Sequence, residues 1–514
     1  MKRRVPIVGI VCMLVQAICG AAGASTQLSP LVEITKLVDP EGEAADDFGA
    51  QVALEGGQAF ASARQRDFDG LNAVGMVFVF ERDPHGEWRE VQQLTPSDAQ
   101  ESSLFGDLLA SGENTLAVTG NCAYYVFERA VDTWEETAKL TLSDWPCWQH
   151  SLSTDGATIV ASNTREEAAY VFERDDDGMW SEVDILVPSD GIAQEFGQSS
   201  AVRGDTIVVG GPLREAEGVD GVGAVYVFER DPTRSGSWEE TAILLPSDLR
   251  EDGKFGWEVA LDGDTLAVGA PGTNKDGFVY LFERDAGAPG VWAEVQKLAQ
   301  PIDVELDGFG LVALRDDALL VGSPRTYYGY GSPSTSSPES YVFLYSRNPF
   351  NPYPWELVTA LRSPEVPKND FFGGALALAE GTILIGAHHG PDGDRIGAAY
   401  VYDLPRSPQL LLSGACPGEV TFTGSELTPF GEAGAYYSAK AGAHLLTEGP
   451  CAGAVLDLES PGRIRVVVAD ESGTGSVTRT ADDAKCGLFV QLIDATTCLT
   501  SDVVQMPVPG DRSQ

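Results

Sequence analysis

The sequence predicts an all-β protein: a seven-bladed β-propeller closed by its N-terminal strand, followed by a small cysteine-containing β domain. Three observations carry this. A unit recurs seven times between Phe48 and Leu404, with a Phe-Gly pair opening nearly every copy. Within each copy, apolar and polar residues alternate through short runs rich in Val, Tyr, Phe and Thr, the period of a strand and not of a helix. Units of this length in series stack or close into one body, because none can bury its apolar faces alone.

The chain begins with Lys2, Arg3 and Arg4, an apolar run from Val5 to Ile18, and small residues ending Ala22-Gly23-Ala24. This is the pattern of a secretory signal peptide over residues 1–24, cut after Ala24. The run is short for a spanning helix, which needs ~20 apolar residues. Ile18 stands where a lipoprotein would carry a small residue before Cys19. No later segment is long and apolar enough to cross a bilayer. The mature chain is therefore expected to be secreted, periplasmic or at the cell surface, with no membrane insertion.

Six copies open on Phe-Gly: Phe48-Gly49, Phe105-Gly106, Phe196-Gly197, Phe255-Gly256, Phe309-Gly310 and Phe372-Gly373. The third has Trp148-Gln149 instead. A first strand is expected to begin there. The second is an apolar run such as Thr265-Leu266-Ala267-Val268, ending in a small-residue corner, Gly269-Ala270-Pro271. The third is aromatic and β-branched, as in Val225-Tyr226-Val227-Phe228, and ends in Glu-Arg in five copies. The fourth runs from a tryptophan to a leucine, as in Trp292 to Leu298. Glycine after Phe lets backbones crowd near an axis. Successive opening positions lie 57, 43, 48, 59, 54 and 63 residues apart, which suits four strands per propeller blade.

The seventh unit stops after Ala399-Tyr400-Val401-Tyr402 and lacks a fourth strand. Leu31-Val32-Glu33-Ile34-Thr35-Lys36-Leu37 matches Trp88 to Leu94 in its Glu, apolar and Leu positions. It is expected to complete the last blade, which removes the open sheet edge. The propeller thus spans 31–404. After the linker Leu404-Pro405-Arg406-Ser407-Pro408, residues 409–514 lose the repeat. Runs such as Arg463-Ile464-Arg465-Val466-Val467-Val468, with four cysteines, predict a disulfide-stapled β domain, an immunoglobulin-like sandwich being one form it could take.

Six cysteines lie beyond the signal segment, an even number that suits disulfides in an exported chain. Cys486 with Cys498 and Cys416 with Cys451 are the expected pairs. Cys122 and Cys147 either bridge to each other or stay as free buried thiols. No C-x-x-C metal spacing occurs.

These Phe-Gly and Gly-Ala-Pro pairs, with the Tyr-Val-Phe strand and the trailing Trp, resemble FG-GAP repeats, the repeat of the integrin α-subunit N-terminal propeller and of many exported bacterial proteins. The resemblance covers Leu31 to about Leu404. It implies a seven-bladed extracellular propeller used for adhesion or protein recognition. Calcium-binding members of that family carry D-x-D-x-D-G-x-x-D between the first two strands. Here the hairpin is cut to Arg203-Gly204-Asp205 or Asp262-Gly263-Asp264. Two carboxylates on a tight turn cannot supply the roughly six to eight oxygens calcium takes. No cofactor is therefore expected.

The chain carries 77 acidic and 34 basic residues, a net charge of −43. Such a surface repels nucleic acid and anionic lipid. The loops that lead into Phe-Gly and those that follow the Gly-Ala-Pro corner share one face and vary most in length, which is where recognition sits on a fixed scaffold. The longest carries Arg325, Tyr327, Tyr328 and Tyr330, whose rings suit a protein or sugar surface. His388 and His389, near Asp392, are further candidates on that face. No G-x-S-x-G, H-E-x-x-H or phosphate-binding loop occurs, so no catalytic residue is assigned. The expectation is an exported, non-catalytic protein that binds a protein or surface glycan. The rivals are a secreted polysaccharide hydrolase or lyase with a site in the axial pocket, and a structural envelope component.

Overall fold

The structure is a computed structural model. It describes residues 31–505 apart from positions 32, 44, 84, 144–148, 192–193, 273–276, 286–289, 302–307, 325–339, 348–353, 365–370, 380, 389–396, 405–408 and most connections after 414. The expected signal peptide over 1–24 lies outside the described residues, as do Cys147, Cys416, Cys451, Cys486 and Cys498.

Seven four-stranded antiparallel sheets follow one another in the unit Pro30–Arg406. The fifth blade shows the pattern, with strands Glu258–Asp262, Thr265–Ala270, Phe278–Arg284 and Trp292–Ala299. Sheet order equals chain order in six blades. In the seventh, Glu33–Leu37 forms the outermost strand beside Ala398–Asp403, with Lys36 opposite Tyr400 and Leu37 opposite Ala399. First and last strands of the ring therefore share one sheet, and neither leaves a bare edge at the seam.

The core lies between blades. Alternation sends successive inner-strand residues to opposite faces. Val52 and Leu54 pack with Leu384 and Val401 of the seventh blade. Ala53 packs with Phe105, Leu116 and Val118 of the second. Each Val, Leu or Phe buried this way contributes about 1.5–3 kcal/mol. The opening phenylalanines Phe48, Phe105, Phe196, Phe255, Phe309 and Phe372 are at most 1 % exposed. Each meets the aromatic third strand of its own blade edge-on. Phe255 lies 5.3 Å from the Tyr280 ring and 5.8 Å from that of Phe282.

The Phe-Gly pair opens the inner strand of the first blade, Phe48–Glu55, as expected, but not those of the later blades. In the fifth blade the ladder begins at Glu258, so Phe255-Gly256 precedes the strand and does not open it. Gly256 takes a φ of +88°, bending the chain over the junction. A Cβ there would lie 2.5 Å from the Ala224 carbonyl oxygen of the fourth blade. Only glycine tolerates both the conformation and the approach.

The recurring Glu-Arg dipeptide proves to be a link between neighbours. Arg129 meets Glu81 at 3.8 Å, Arg174 meets Glu128 at 2.8 Å, Arg284 meets Glu229 at 3.0 Å and Arg347 meets Glu283 at 2.6 Å. Arg230 pairs with Glu173 in the same way. Each arginine thus reaches the preceding blade. Arg82 of the first blade has no preceding Glu-Arg copy, and instead takes Asp403 of the seventh at 2.9 Å. A second link joins the ends of the outer strands. Ser97, Ser143, Ser189 and Ser247 each donate a backbone N–H and a hydroxyl to one carboxylate of the next blade, respectively Glu136, Glu182, Glu240 and Glu294.

The second unit contains a three-stranded sheet of Gln409–Gly414, Gly418–Ser425 and Gly475–Ala481. A four-stranded sheet holds Gly462–Val468, Glu432–Ser438, Phe489–Asp494 and Val504–Gln505. Ala433, Ala435, Val467, Ala469 and Leu492 form a buried cluster there.

Phe255→Ala should cost about 3–5 kcal/mol, the loss for an enclosed aromatic side chain. Urea unfolding followed by tryptophan fluorescence measures it, and a loss below about 1 kcal/mol would remove the interblade role assigned to these rings. Deleting residues 31–37 should expose the Ala398–Asp403 edge and shift the protein toward larger species than the full chain on size-exclusion chromatography.

Candidate functional site

The inner strands of all seven blades line an axial cavity of about 350 Å³. Its walls are small and apolar for most of their height, with Ala53, Ala110, Ala201, Ala260, Ala313 and Ala377 at matching levels. Ser111, Ser153 and Thr154 add hydroxyls. Charge gathers at the rim formed by the turns between first and second strands, where Glu55, Glu113, Arg203, Asp262 and Arg315 stand. Most of these turns are two residues long, as at Gly204-Asp205 and Gly263-Asp264. Some are tied to their neighbours. Asp155 accepts the Gly204 N–H at 2.9 Å, and Asp262 accepts that of Asp316 at 2.6 Å while pairing with Arg203 at 3.4 Å.

The opposite, Phe-Gly face is built from longer loops that interlock. The loop after the second strand of the first blade folds into a small hairpin, with Phe68 bridged to Leu71. The fourth blade repeats it with Ala216 and Val219. Both dock by backbone on the loop leading into the next Phe-Gly. Ser102 and Phe105 donate to the Asn72 and Val74 carbonyls at 2.9 and 2.8 Å, and Asp252 and Phe255 donate to those of Asp220 and Val222 at 3.0 and 2.9 Å. Phe68 and Leu104 remain 37 % and 39 % exposed. Exposed carboxylates flank them, among them Asp67, Asp69 and Glu101.

Under this face lies an ionic network that sequence reading missed. Asp39, Asp46 and Asp47 are buried. Arg66 meets Asp39 at 3.1 Å and Asp46 at 3.3 Å, and Arg64 meets Asp47 at 3.3 Å and Asp107 at 2.8 Å. Burial pushes the Asp46 carboxyl up, although the Glu43 N–H and Arg66 oppose it. Two arginines shared among four carboxylates tie the loop before the first blade to the loop after its second strand, so the cluster is a brace for the seam. A simpler trio recurs in other blades. Asp98 accepts from Tyr125 at 2.7 Å and Lys139 at 2.5 Å, and Asp248 from Tyr280 at 2.8 Å and Lys297 at 2.6 Å. The Lys139 and Tyr125 bonds hold Asp98 below the usual carboxylate range.

Of the residues singled out in the sequence, Arg325, Tyr327, Tyr328, Tyr330 and His389 lie outside the described residues. His388 is half-buried, its ring 4.8 Å from that of Phe371 in the loop before the seventh blade's inner strand. Cys122 is disulfide-bonded, in a tight two-residue turn with Asn121. Among the described residues no group of three His, Cys, Asp or Glu side chains is placed to hold a metal ion, and no helix is long and apolar enough to cross a membrane.

The FG-GAP repeat family matches at residues 31–80, 180–228, 238–282 and 355–402, and the four segments fall on blades of the ring. The chain is an FG-GAP repeat β-propeller protein. No curated protein matches it. Among solved structures it is similar to a candidate 6-phosphogluconolactonase of Bacteroides uniformis, at 14 % identity and a TM-score of 0.42, covering 61 % of this chain and 88 % of that one. A Lactobacillus plantarum protein is similar at 11 % identity and TM-score 0.41, with 78 % and 95 % covered. So is PorZ, a surface component of the type-IX secretion system of Porphyromonas gingivalis, at 11 % and 0.43, with 92 % and 61 % covered.

One further group of this FG-GAP propeller titrates near neutrality. Glu258 heads the inner strand of the fifth blade opposite Gly269. Burial pushes its carboxyl from about 4.5 up to about 7. An acid held neutral by burial stabilises the fold fully below its unfolded pKa, and that contribution is lost as pH rises through the folded one. Stability should therefore fall between about pH 4.5 and pH 7 and level off above. Glu258→Gln should abolish this slope and exceed the native protein by about 1–3 kcal/mol at pH 8, a range that allows for the screening its partial exposure brings. Paired denaturation curves from pH 4 to 9 test it, and parallel slopes in the two proteins would refute the assignment.

Proposed function

We propose that this protein is an exported recognition module that binds a protein or a surface glycan through its Phe-Gly face and catalyses no reaction. The carrying observation is the division of labour between the two faces. Two-residue turns close most inner hairpins on one side, while the long and variable loops gather on the other. Where two of those loops are described, backbone hydrogen bonds to the next blade hold them. Phe68 and Leu104 stand on such a support, ringed by Asp67, Asp69 and Glu101. An apolar anchor inside a polar rim is the usual anatomy of a recognition patch. The alanine-rich wall of the axial cavity, by contrast, offers few groups for acid–base chemistry. Export is supported by the signal-like start of the chain and by the disulfide at Cys122.

A glycan array and a display library of extracellular polypeptides, run beside a hydrolysis screen on acidic and neutral polysaccharides, test this reading. For any ligand found, Phe68→Ala with Leu104→Ala should weaken binding about tenfold or more while the melting temperature holds. Deleting residues 325–339 should do the same if the longest loop joins the site. Turnover that co-purifies with the protein, or binding indifferent to both changes, would reject the reading.

A further inference from the structure

We propose a second ligand site on the turn face of the axial cavity, built for a short peptide with both termini free. Its carboxylate is held by Arg315 and its ammonium faces Glu55 and Glu113. The site lies across the ring from the loops of the Phe-Gly face and does not depend on the reading above.

Arg315 is the anomaly that points there. This chain has 34 basic residues against 77 acidic ones, so every cation has acids to choose from. Among the described residues of the propeller, Arg315 is the one basic side chain with no hydrogen bond, ion pair or ring contact. It is half-buried and lines the cavity. The lining acid of the neighbouring fifth blade is already engaged, because Asp262 holds Arg203 through one oxygen and the Asp316 N–H through the other. Its donors stay in reach of the cavity water and meet no protein partner, which leaves a five-donor guanidinium open to an anion from outside. A planar carboxylate meets its fork with two parallel bonds.

The rest of the rim argues against a simple anion. Asp262 and the exposed Asp316 flank Arg315, and Glu55 and Glu113 also line the mouth. A dianion would be repelled. Glu113 belongs to the second blade and Arg315 to the sixth, three steps apart, the widest separation a seven-bladed ring permits. A ligand touching both arcs needs opposite charges at its two ends and a neutral middle. A peptide of three residues spans up to ~10 Å. Ser111, Ser153 and Thr154 interrupt the alanines, and their hydroxyls, though bonded within the protein, keep lone pairs that peptide N–H groups can meet. The cavity of about 350 Å³ falls at the lower end of the sizes used for small molecules.

The experiment presents the full-length protein with an equimolar library of tripeptides and reads retained masses by native mass spectrometry. The best binder, its Nα-acetyl form and its C-terminal amide are then titrated by calorimetry into the native protein and into Arg315→Gln, Glu113→Gln and Phe68→Ala. Arg315→Gln should lose roughly 10- to 100-fold in affinity, the worth of a charge-assisted contact. Because the Arg315 side chain makes no hydrogen bond, ion pair or ring contact in the free protein, the melting temperature of Arg315→Gln should move little. The amide should lose affinity to the same extent, and the loss should not add to that of Arg315→Gln. The acetyl form and Glu113→Gln should each weaken binding, and Phe68→Ala should leave it unchanged. No retained tripeptide, affinity indifferent to Arg315→Gln, or a loss confined to the amide form would each overturn the proposal.

Discussion

Everything in this ring depends on the close approach of neighbouring blades near the axis. At the junctions that follow the fourth to seventh blades backbone meets backbone, too close for a side chain, while Ser62, Thr119 and Ser162 hold the matching corner in the first three. A Cβ on Gly322 would lie 2.6 Å from the Gly373 carbonyl oxygen, and Gly210 stands in the same relation to Gly256. In the fourth to seventh blades, glycine at the corner therefore faces glycine after the phenylalanine of the next blade. That approach sets how far apart two sheets can sit at the inner radius. The phenylalanine beside it fills the wedge that opens outward, meeting Tyr or Phe of its own third strand edge-on. A larger residue at either glycine would push the sheets apart and empty that wedge. The cost would fall on packing as well as on backbone strain.

At larger radius the sheets diverge, and apolar side chains no longer bridge them alone. Polar links take over. The arginine at the end of each third strand reaches the acid of the preceding blade, and in the fourth and fifth blades its guanidinium also lies over the outer-strand tryptophan, 4.4 Å from Trp238 and 4.9 Å from Trp292. Stacking and ion pairing on one partly buried guanidinium favour Arg over Lys. Where the copy changes, the link changes with it. The sixth third strand ends Ser346-Arg347 and so offers its neighbour no glutamate. The seventh ends Asp403-Leu404 and carries no arginine to seek one, keeping only the acid that Arg82 needs. Departure from the repeat is thus confined to the junction it serves, and the seam receives a polar link in addition to the Glu33–Leu37 pairing.

Much of this architecture could be read from the chain because it depends on local signals that recur. Phe-Gly, the small corner and the alternating strands mark each blade, and the unit that lacks a fourth strand matches a stray one at the other end. The hairpin lengths were equally legible, since a Gly-Asp pair between two β runs leaves room for only a two-residue turn. The Glu-Arg dipeptide was visible as a recurrence, but its partners were not. Each arginine reaches a residue about one repeat earlier, and spacing does not say which of many acids stands beside it. Arg66 with Asp39 and Asp46 was hidden for the same reason, lying in an acidic loop that reads as solvated turn. Arg315 was hidden more deeply. Its distinction is the lack of a partner, and that exists only once every neighbour has been placed. Placing Phe-Gly at the start of a strand holds in the first blade, Phe48–Glu55, and fails in the fifth, where the ladder begins only at Glu258.

Closure has a consequence for how such a chain can vary. Inner contacts and outer links fix the ring through residues inside the blades, and the loops on the Phe-Gly face add local ties, such as the Arg64 and Arg66 brace at the seam. The second blade joins its second and third strands through Asn121-Cys122 alone, whereas the first blade uses the twelve residues from Arg64 to Gly75 at the same place. Yet Phe60 and Val79 of the first blade and Phe105 and Val118 of the second enter one continuous apolar cluster. A scaffold that accepts such different insertions without a change in its core is free to keep one face minimal and to elaborate the other. The short turns then do more than end hairpins. By holding charged residues at a constant radius around the axis, they give that side a rim whose chemistry can change one blade at a time while the walls beneath it stay alanine.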